Sequence, residues 1–184
     1  MALVESNPFE LGTLAPDFSL LNVSTGKQNN LNDLRGDNGT AILFICNHCP
    51  FVIHVNEGIV ELANDYQKKG IKFIAISSND VINYPQDGPQ KMKEIAQNLA
   101  YPFPYLYDET QAIAKAYDAA CTPDFYIFNS ELKAVYHGQL DDSRPGNGKP
   151  VTGDDMRISF DAILSKTKTH AVQKPSIGCN IKWK

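Results

Sequence analysis

The chain has 184 residues, 42% of them hydrophobic and 21% charged, with a formal net charge of −4. That length can bury a real core in one domain, and the acidic balance, with no Lys/Arg run, argues against nucleic acid or a membrane surface as partner. Four cysteines are too few for a disulfide-stapled secreted scaffold, and in a reducing compartment a Cys-x-x-Cys pair points to redox or metal chemistry. The first ten residues have neither a basic n-region nor an apolar h-region. The longest apolar run, 41–46, is too short to cross a bilayer. The expected location is cytoplasmic.

In chain order, residues 15–21 alternate and meet Ser24-Thr25-Gly26-Lys27, predicting a short N-terminal hairpin, and 32–36 read as one helical turn ended by Gly36. The continuous apolar run 41–45 predicts a central strand buried on both faces. After Cys46-Asn47-His48-Cys49-Pro50, Val52, Val55, Ile59, Leu62, Ala63 and Tyr66 recur at helical spacing, and Lys68-Lys69-Gly70 closes that helix. Residues 71–76 predict a second buried strand, 90–99 a helix and 103–107 an extended piece. Asp108-Glu109-Thr110-Gln111 has the form of a capping box for a helix reaching about residue 117. Residues 124–128 and 133–137 predict an antiparallel hairpin, and 155–166 a last helix. Residues 167–184 are basic, show no period and read as a mobile tail. The fold class expected is α/β: a mixed sheet with helices on both faces and an active loop at the C-terminal end of a central strand. A single domain, 1–166, is followed by a tail, 167–184, that carries Cys179.

A thiol attacks as thiolate, so a reactive cysteine needs its pKa lowered, which a helix N-terminus does through unpaired amides and the macrodipole. Proline is favoured as the first helical residue. Pro50 therefore places Cys49 at the N-cap as the candidate nucleophile, with Cys46 its neighbour in the loop. His48 could add positive charge, shuttle a proton, or be a solvated loop residue. Inert buried thiols and a zinc site completed by His48, Cys121 or Cys179 are the alternatives, but a dependable zinc pattern has a second close pair. Haem attachment needs histidine after the second cysteine, where Pro50 stands. No cofactor and no metal are expected. Cys121 precedes Thr122-Pro123, a proline opening a strand that is often cis, and reads equally as a third thiol or as buried filler. Cys179, flanked by Lys182 and Lys184, is a candidate resolving thiol or an incidental tail cysteine.

The combination of Ala15-Pro-Asp-Phe-Ser-Leu, Phe44-Ile-Cys-Asn-His-Cys-Pro, Phe73-Ile-Ala-Ile-Ser-Ser-Asn-Asp, Thr122-Pro-Asp-Phe-Tyr-Ile-Phe and Gly178-Cys-Asn-Ile-Lys-Trp-Lys resembles the redoxin branch of the thioredoxin superfamily. Within it, the chain is similar to the alkyl hydroperoxide reductase/thiol-specific antioxidant group, and to its peroxiredoxin-like members above all. The resemblance implies a thioredoxin-like fold with an N-terminal hairpin extension. In peroxiredoxins the peroxidatic cysteine precedes a proline, as Cys49 precedes Pro50, within Pro-x-x-x-Thr-x-x-Cys. Here Ile42 takes the proline position and Cys46 the threonine position. The family's later arginine has no counterpart before Phe125, where Ala120 and Cys121 lie, so the peroxide-orienting set is mostly missing. Thr122-Pro123 matches the cis-proline turn beside the dithiol of thioredoxins and implies a substrate groove shared with His48 and Pro50. Cys179 with Lys182 and Trp183 is similar to a C-terminal resolving segment.

The expectation is thus a thiol–disulfide oxidoreductase, with Cys49 attacking and Cys46 resolving. A thiol peroxidase resolved by Cys46, Cys121 or Cys179, and a redox-sensing binding module without turnover, are the alternatives. The implied partners are protein or low-molecular-weight thiols and disulfides and a thiol reductant, and the reading leaves room for a homodimer.

Overall fold

The computed structural model describes residues 3–168 and 173–184. Its centre is β4 (Gly39–Phe44), six buried residues in a row. Alternation along that strand sends Ala41 and Leu43 to one face and Ile42 and Phe44 to the other, and each set joins a different hydrophobic cluster. The continuous apolar run is therefore a strand covered on both sides. It pairs in parallel with β5 (Ile71–Ser77) and antiparallel with β8 (Asp124–Asn129).

The sheet extends through β6 (Tyr105–Tyr107), β2 (Ser19–Asn22) and β3 (Lys27–Asn30) on one side and β9 (Ala134–Gly138) on the other, seven strands in all. The first cluster is closed by α2 (Pro50–Gln67), α3 (Pro89–Asn98) and α5 (Asp154–Leu164), through Val52, Val55, Ile59, Met92, Met156 and Phe160. The short α1 (Leu31–Leu34) and α4 (Ala112–Ala116) cover the other face through Leu31 and Ala114. This is the mixed sheet with helices on both faces of a thioredoxin-like fold, with its N-terminal hairpin in β2 and β3. Among the described residues no helix is long and apolar enough to cross a membrane.

Two expectations are corrected. The capping box does not form: Gln111 sits at the start of α4 in a left-handed conformation, φ 63°. Its side chain instead donates to the carbonyls of Ser78 (2.7 Å) and Lys182 (2.8 Å). Asp108 is fully buried and accepts from Ser78 Oγ and the Ala114 amide, both at 2.9 Å. Tertiary partners thus outcompete the local motif.

Nor is the segment carrying Cys179 a mobile tail. Ile177–Asn180 form β10, which lies between β1 (Leu3–Glu5) and β7 (Cys121–Thr122) in a separate three-stranded sheet. Beyond it the Lys182 amide donates to Asn79 Oδ1 (2.8 Å), the Asp80 amide donates to the Lys182 carbonyl (2.8 Å), and Ile181 is buried. The segment lacks a helical or strand period because its partners are short, distant pieces of chain rather than one continuous apolar face.

Candidate functional site

The site lies where β4 ends. Cys49 is the N-cap of α2 with Pro50 as first helical residue, as the sequence implied. Its Sγ makes no regular cap hydrogen bond. It lies 3.1 Å from the Thr122 carbonyl and 2.8 Å from Cys179 Sγ, against about 2.05 Å for a formed disulfide. Thr122–Pro123 is a cis peptide, and the Thr122 hydroxyl lies 3.3 Å from Cys46 Sγ. One residue of the cis-proline turn therefore touches both thiols of the Cys-x-x-Cys loop. Register explains the rest: Cys179 of β10 pairs opposite Thr122 of β7. All four cysteines are free and buried.

The thiols are not equivalent. The hydrogen bond from Cys46 is the largest influence lowering Cys49, against burial, and with help from the Cys179 thiol and the Val52 and Cys179 amides its pKa falls to about 5. Donation to Cys49, then burial and the charge of Asp87, raise Cys46 far above the ordinary thiol range. Burial, then its bond to Cys49, raises Cys179 to about 12. One thiolate is thus shared among three sulfurs and sits on Cys49. Cys121 is raised by burial first and then by Asp124; its Sγ turns to the Pro123 carbonyl at 3.6 Å rather than to the other thiols.

His48 is held by a residue the sequence did not single out. Its Nδ1 lies 2.6 Å from Asp87 Oδ2, and its ring stacks on Tyr84 at 5.6 Å between centroids. Asp87 is fully buried at the end of a short 3-10 turn, Pro85–Asp87, and also accepts from the Asn47 amide (2.8 Å) and Asn79 Nδ2 (2.7 Å). Nothing in Tyr84-Pro-Gln-Asp-Gly reads as more than a turn, so no local signal could have found it. Cys46, His48 and Asp87 have ligand atoms within 4.8 Å of one another. Of these atoms, His48 Nδ1 and Asp87 Oδ2 are hydrogen-bonded to each other.

A family signature decides what kind of chain this is: the AhpC/TSA pattern matches residues 11–137. The chain belongs to the AhpC/TSA family. An uncharacterized conserved protein of Geobacillus kaustophilus has a crystal structure 61% identical to this AhpC/TSA chain, covering 100% of this chain and 97% of its own, with TM-score 0.98. The thioredoxin domain of a thiol-disulfide oxidoreductase from Bacteroides vulgatus is 14% identical over 82% of this chain and 97% of that one, TM-score 0.63. Peroxidoxin BcpB from Mycobacterium tuberculosis is 16% identical over 86% and 98%, TM-score 0.62. The last two likenesses show the fold alone. No curated protein matches the chain. Family membership makes this AhpC/TSA protein a thiol redox protein, an oxidoreductase in the general sense.

One further residue departs from the sequence reading. An arginine does stand near the turn before Phe125: Arg144, from the loop after β9, lines a small cleft with Pro123 and Phe125. It comes from the far side of the β8–β9 hairpin rather than from the residues just before Phe125.

Proposed function

We propose that this protein is a thiol–disulfide oxidoreductase in which Cys49 is the nucleophile and Cys179 the resolving thiol. The observation that carries the reading is the 2.8 Å approach of Cys179 Sγ to a Cys49 sulfur whose pKa is lowered to about 5. The Cys49 thiolate attacks one sulfur of a disulfide RS–SR′, forming a Cys49–SR mixed disulfide and releasing R′S⁻, which takes a proton from solvent. Cys179 then loses its proton as its sulfur attacks Cys49 Sγ, and RS⁻ leaves to be protonated. The balance is one substrate disulfide reduced to two thiols and one Cys49–Cys179 disulfide formed, which a dithiol reductant reopens. Cys46, the other half of the Cys-x-x-Cys pair, acts as the donor that holds the thiolate on Cys49 and stands as a second resolving sulfur. Thr122 and Pro123 fix the geometry of all three.

Burial favours a second reading, peroxide reduction. Cys46, Cys49 and Cys179 are at most 5% exposed, which suits a small oxidant better than a folded protein. In that case Cys49 becomes a sulfenic acid and Cys179 condenses with it, releasing water.

Rates of the reduced protein with hydroxyethyl disulfide and with hydrogen peroxide, across pH, test both. The Cys49 pKa is depressed, so its thiolate is present above about pH 5 and lost as pH falls through that value. The disulfide rate is expected to fall with that midpoint and to exceed the peroxide rate. A peroxide rate well above the disulfide rate would make peroxidase the better reading, and a midpoint near the free thiol value of about 8.5 would remove Cys49 as a preset nucleophile.

A further inference from the structure

We infer that Asp87 is a positioning residue that assigns the resolving step to Cys179: its carboxylate, buried beside Cys46, holds the proton on that thiol and leaves Cys179 to close on Cys49. The inference rests on the reading of Cys49 as nucleophile and deepens it by naming what chooses its partner.

In a Cys-x-x-Cys loop the second cysteine of the pair is the ready resolving sulfur, so Cys179 acts first only if Cys46 is set aside. Asp87 is placed to do that. One of its carboxylate oxygens lies within 4.8 Å of Cys46 Sγ, and its side chain is fully buried. A like charge at about 4–6 Å disfavours ionisation of its neighbour by a factor of about 10 to 10³. A ring nitrogen of His48 lies in the same range, but that side chain is 17% exposed against 0% for Asp87. Water therefore screens any charge on His48 and not the carboxylate's.

The carboxylate is also fixed in place. Its Oδ1 accepts from the Asn47 amide (2.8 Å), and its Oδ2 is bonded to His48 Nδ1 (2.6 Å) and Asn79 Nδ2 (2.7 Å). Asn47 and His48 are the two residues between the cysteines, so Asp87 grips the loop itself. Asn79 uses its Oδ1 to accept the Lys182 amide (2.8 Å), three residues beyond Cys179. One asparagine thus ties the carboxylate to the segment that carries the competing thiol.

The charge matters most after the attack. Cys46 is raised by its bond to Cys49 first, then by burial and Asp87; Cys179 is raised by burial first, then by the bond to Cys49 and its charge. Once Cys49 is tied up in a mixed disulfide, its thiolate no longer acts on either. Cys179 is left with burial, offset by the Lys182 ammonium. Cys46 is left with burial and the charge of Asp87, offset by its contact with the Thr122 hydroxyl. Tyr101 and Tyr105 also interact with Cys46, but burial pushes both upward and they stay neutral. The proton is held more firmly on Cys46, and Cys179 is the sulfur that loses its proton and closes on Cys49.

The test is a gain of function. Turnover of hydroxyethyl disulfide is measured in Cys179→Ser, which leaves resolution to Cys46, and in Cys179→Ser/Asp87→Asn. Removing the charge is expected to raise kcat on the order of tenfold, which loss of a merely structural contact would not do. An equal or lower kcat overturns the assignment. Asp87→Asn sets the side-chain amides of residues 79 and 87 against each other. If it fails to fold, the swap Asp87→Asn/Asn79→Asp carries the same comparison. The swap keeps a donor and an acceptor between the two positions and an acceptor for the Lys182 amide, while moving the charge off residue 87. Separately, alkylation of Cys46 at pH 9 is compared in Cys49→Ser and Cys49→Ser/Asp87→Asn, with Cys121 as the internal standard for general opening of the site. The ratio of Cys46 to Cys121 labelling is expected to rise on the order of tenfold. No rise overturns the role of Asp87 even if disulfides are reduced. A rise in a protein that reduces no disulfide keeps that role and overturns only the oxidoreductase reading.

Discussion

Cys49→Ser is expected to lower disulfide turnover by about 10³-fold or more, because the only sulfur set up as an anion at neutral pH is lost. A serine hydroxyl has nearly the same size, so the N-cap position and the packing of α2 should survive and the melting temperature should barely move. The contrast lies in the other two thiols. Burial raises both Cys46 and Cys179 independently of Cys49, so neither is an anion ready to take over as attacking group. Cys46→Ser keeps a donor next to Cys49, so its loss of rate should be far smaller. Equal losses in Cys46→Ser and Cys49→Ser would mean that the two sulfurs act as one nucleophilic unit and that the N-cap does not choose between them.

Gly178→Ala should also be damaging, for a reason that has nothing to do with chemistry at sulfur. A β-carbon at Gly178 would lie 2.0 Å from the Thr122 carbonyl oxygen, 2.7 Å from its carbon and 3.1 Å from the Pro123 nitrogen. All three are backbone atoms of the cis-proline turn and cannot swing aside as a flexible side chain would. The strand β10 must therefore move off β7, taking Cys179 away from Cys49. Overpacking of this kind costs about 1–3 kcal/mol, which in a domain of this size is a fall in Tm of roughly 2–4 °C per kcal/mol. Resolution by Cys179 should fail with it, leaving the Cys49 mixed disulfide to the second resolving sulfur, Cys46. A Gly178→Ala protein with unchanged melting and unchanged turnover would show that the close approach of β10 to the turn is not what holds the site.

What the sequence disclosed is what local rules govern. The run 41–45 could only be a doubly covered strand, and Cys49-Pro50 could only start a helix one way, so the N-cap position of Cys49 was legible before any contact was known. Cys179 was legible as a cysteine but not as a placed one. Its position comes from pairing between β10 and the two-residue β7, across a separation of more than fifty residues that no periodicity marks. Asp87 and Arg144 were invisible for a related reason. Each sits in a Pro- and Gly-containing loop whose composition signals only a turn; Asp87 is bonded to Asn47 and His48, 40 and 39 positions away, and Arg144 shares a cleft with Pro123 and Phe125. The capping box at Asp108–Gln111 failed in the opposite direction, because a sound local motif lost its side chains to Ser78, Ala114 and Lys182.

The most direct measurement is a disulfide map: oxidise the reduced protein mildly, digest it without reductant, and identify the bridged peptides by mass spectrometry. The expected product joins Cys49 to Cys179, with Cys46 and Cys121 free, because those two sulfurs already lie 2.8 Å apart on strand and helix ends that need not move. A bridge joining Cys46 to Cys49 in every molecule, with Cys179 still free even in Cys46→Ser, would contradict the account and return the resolving role to the loop.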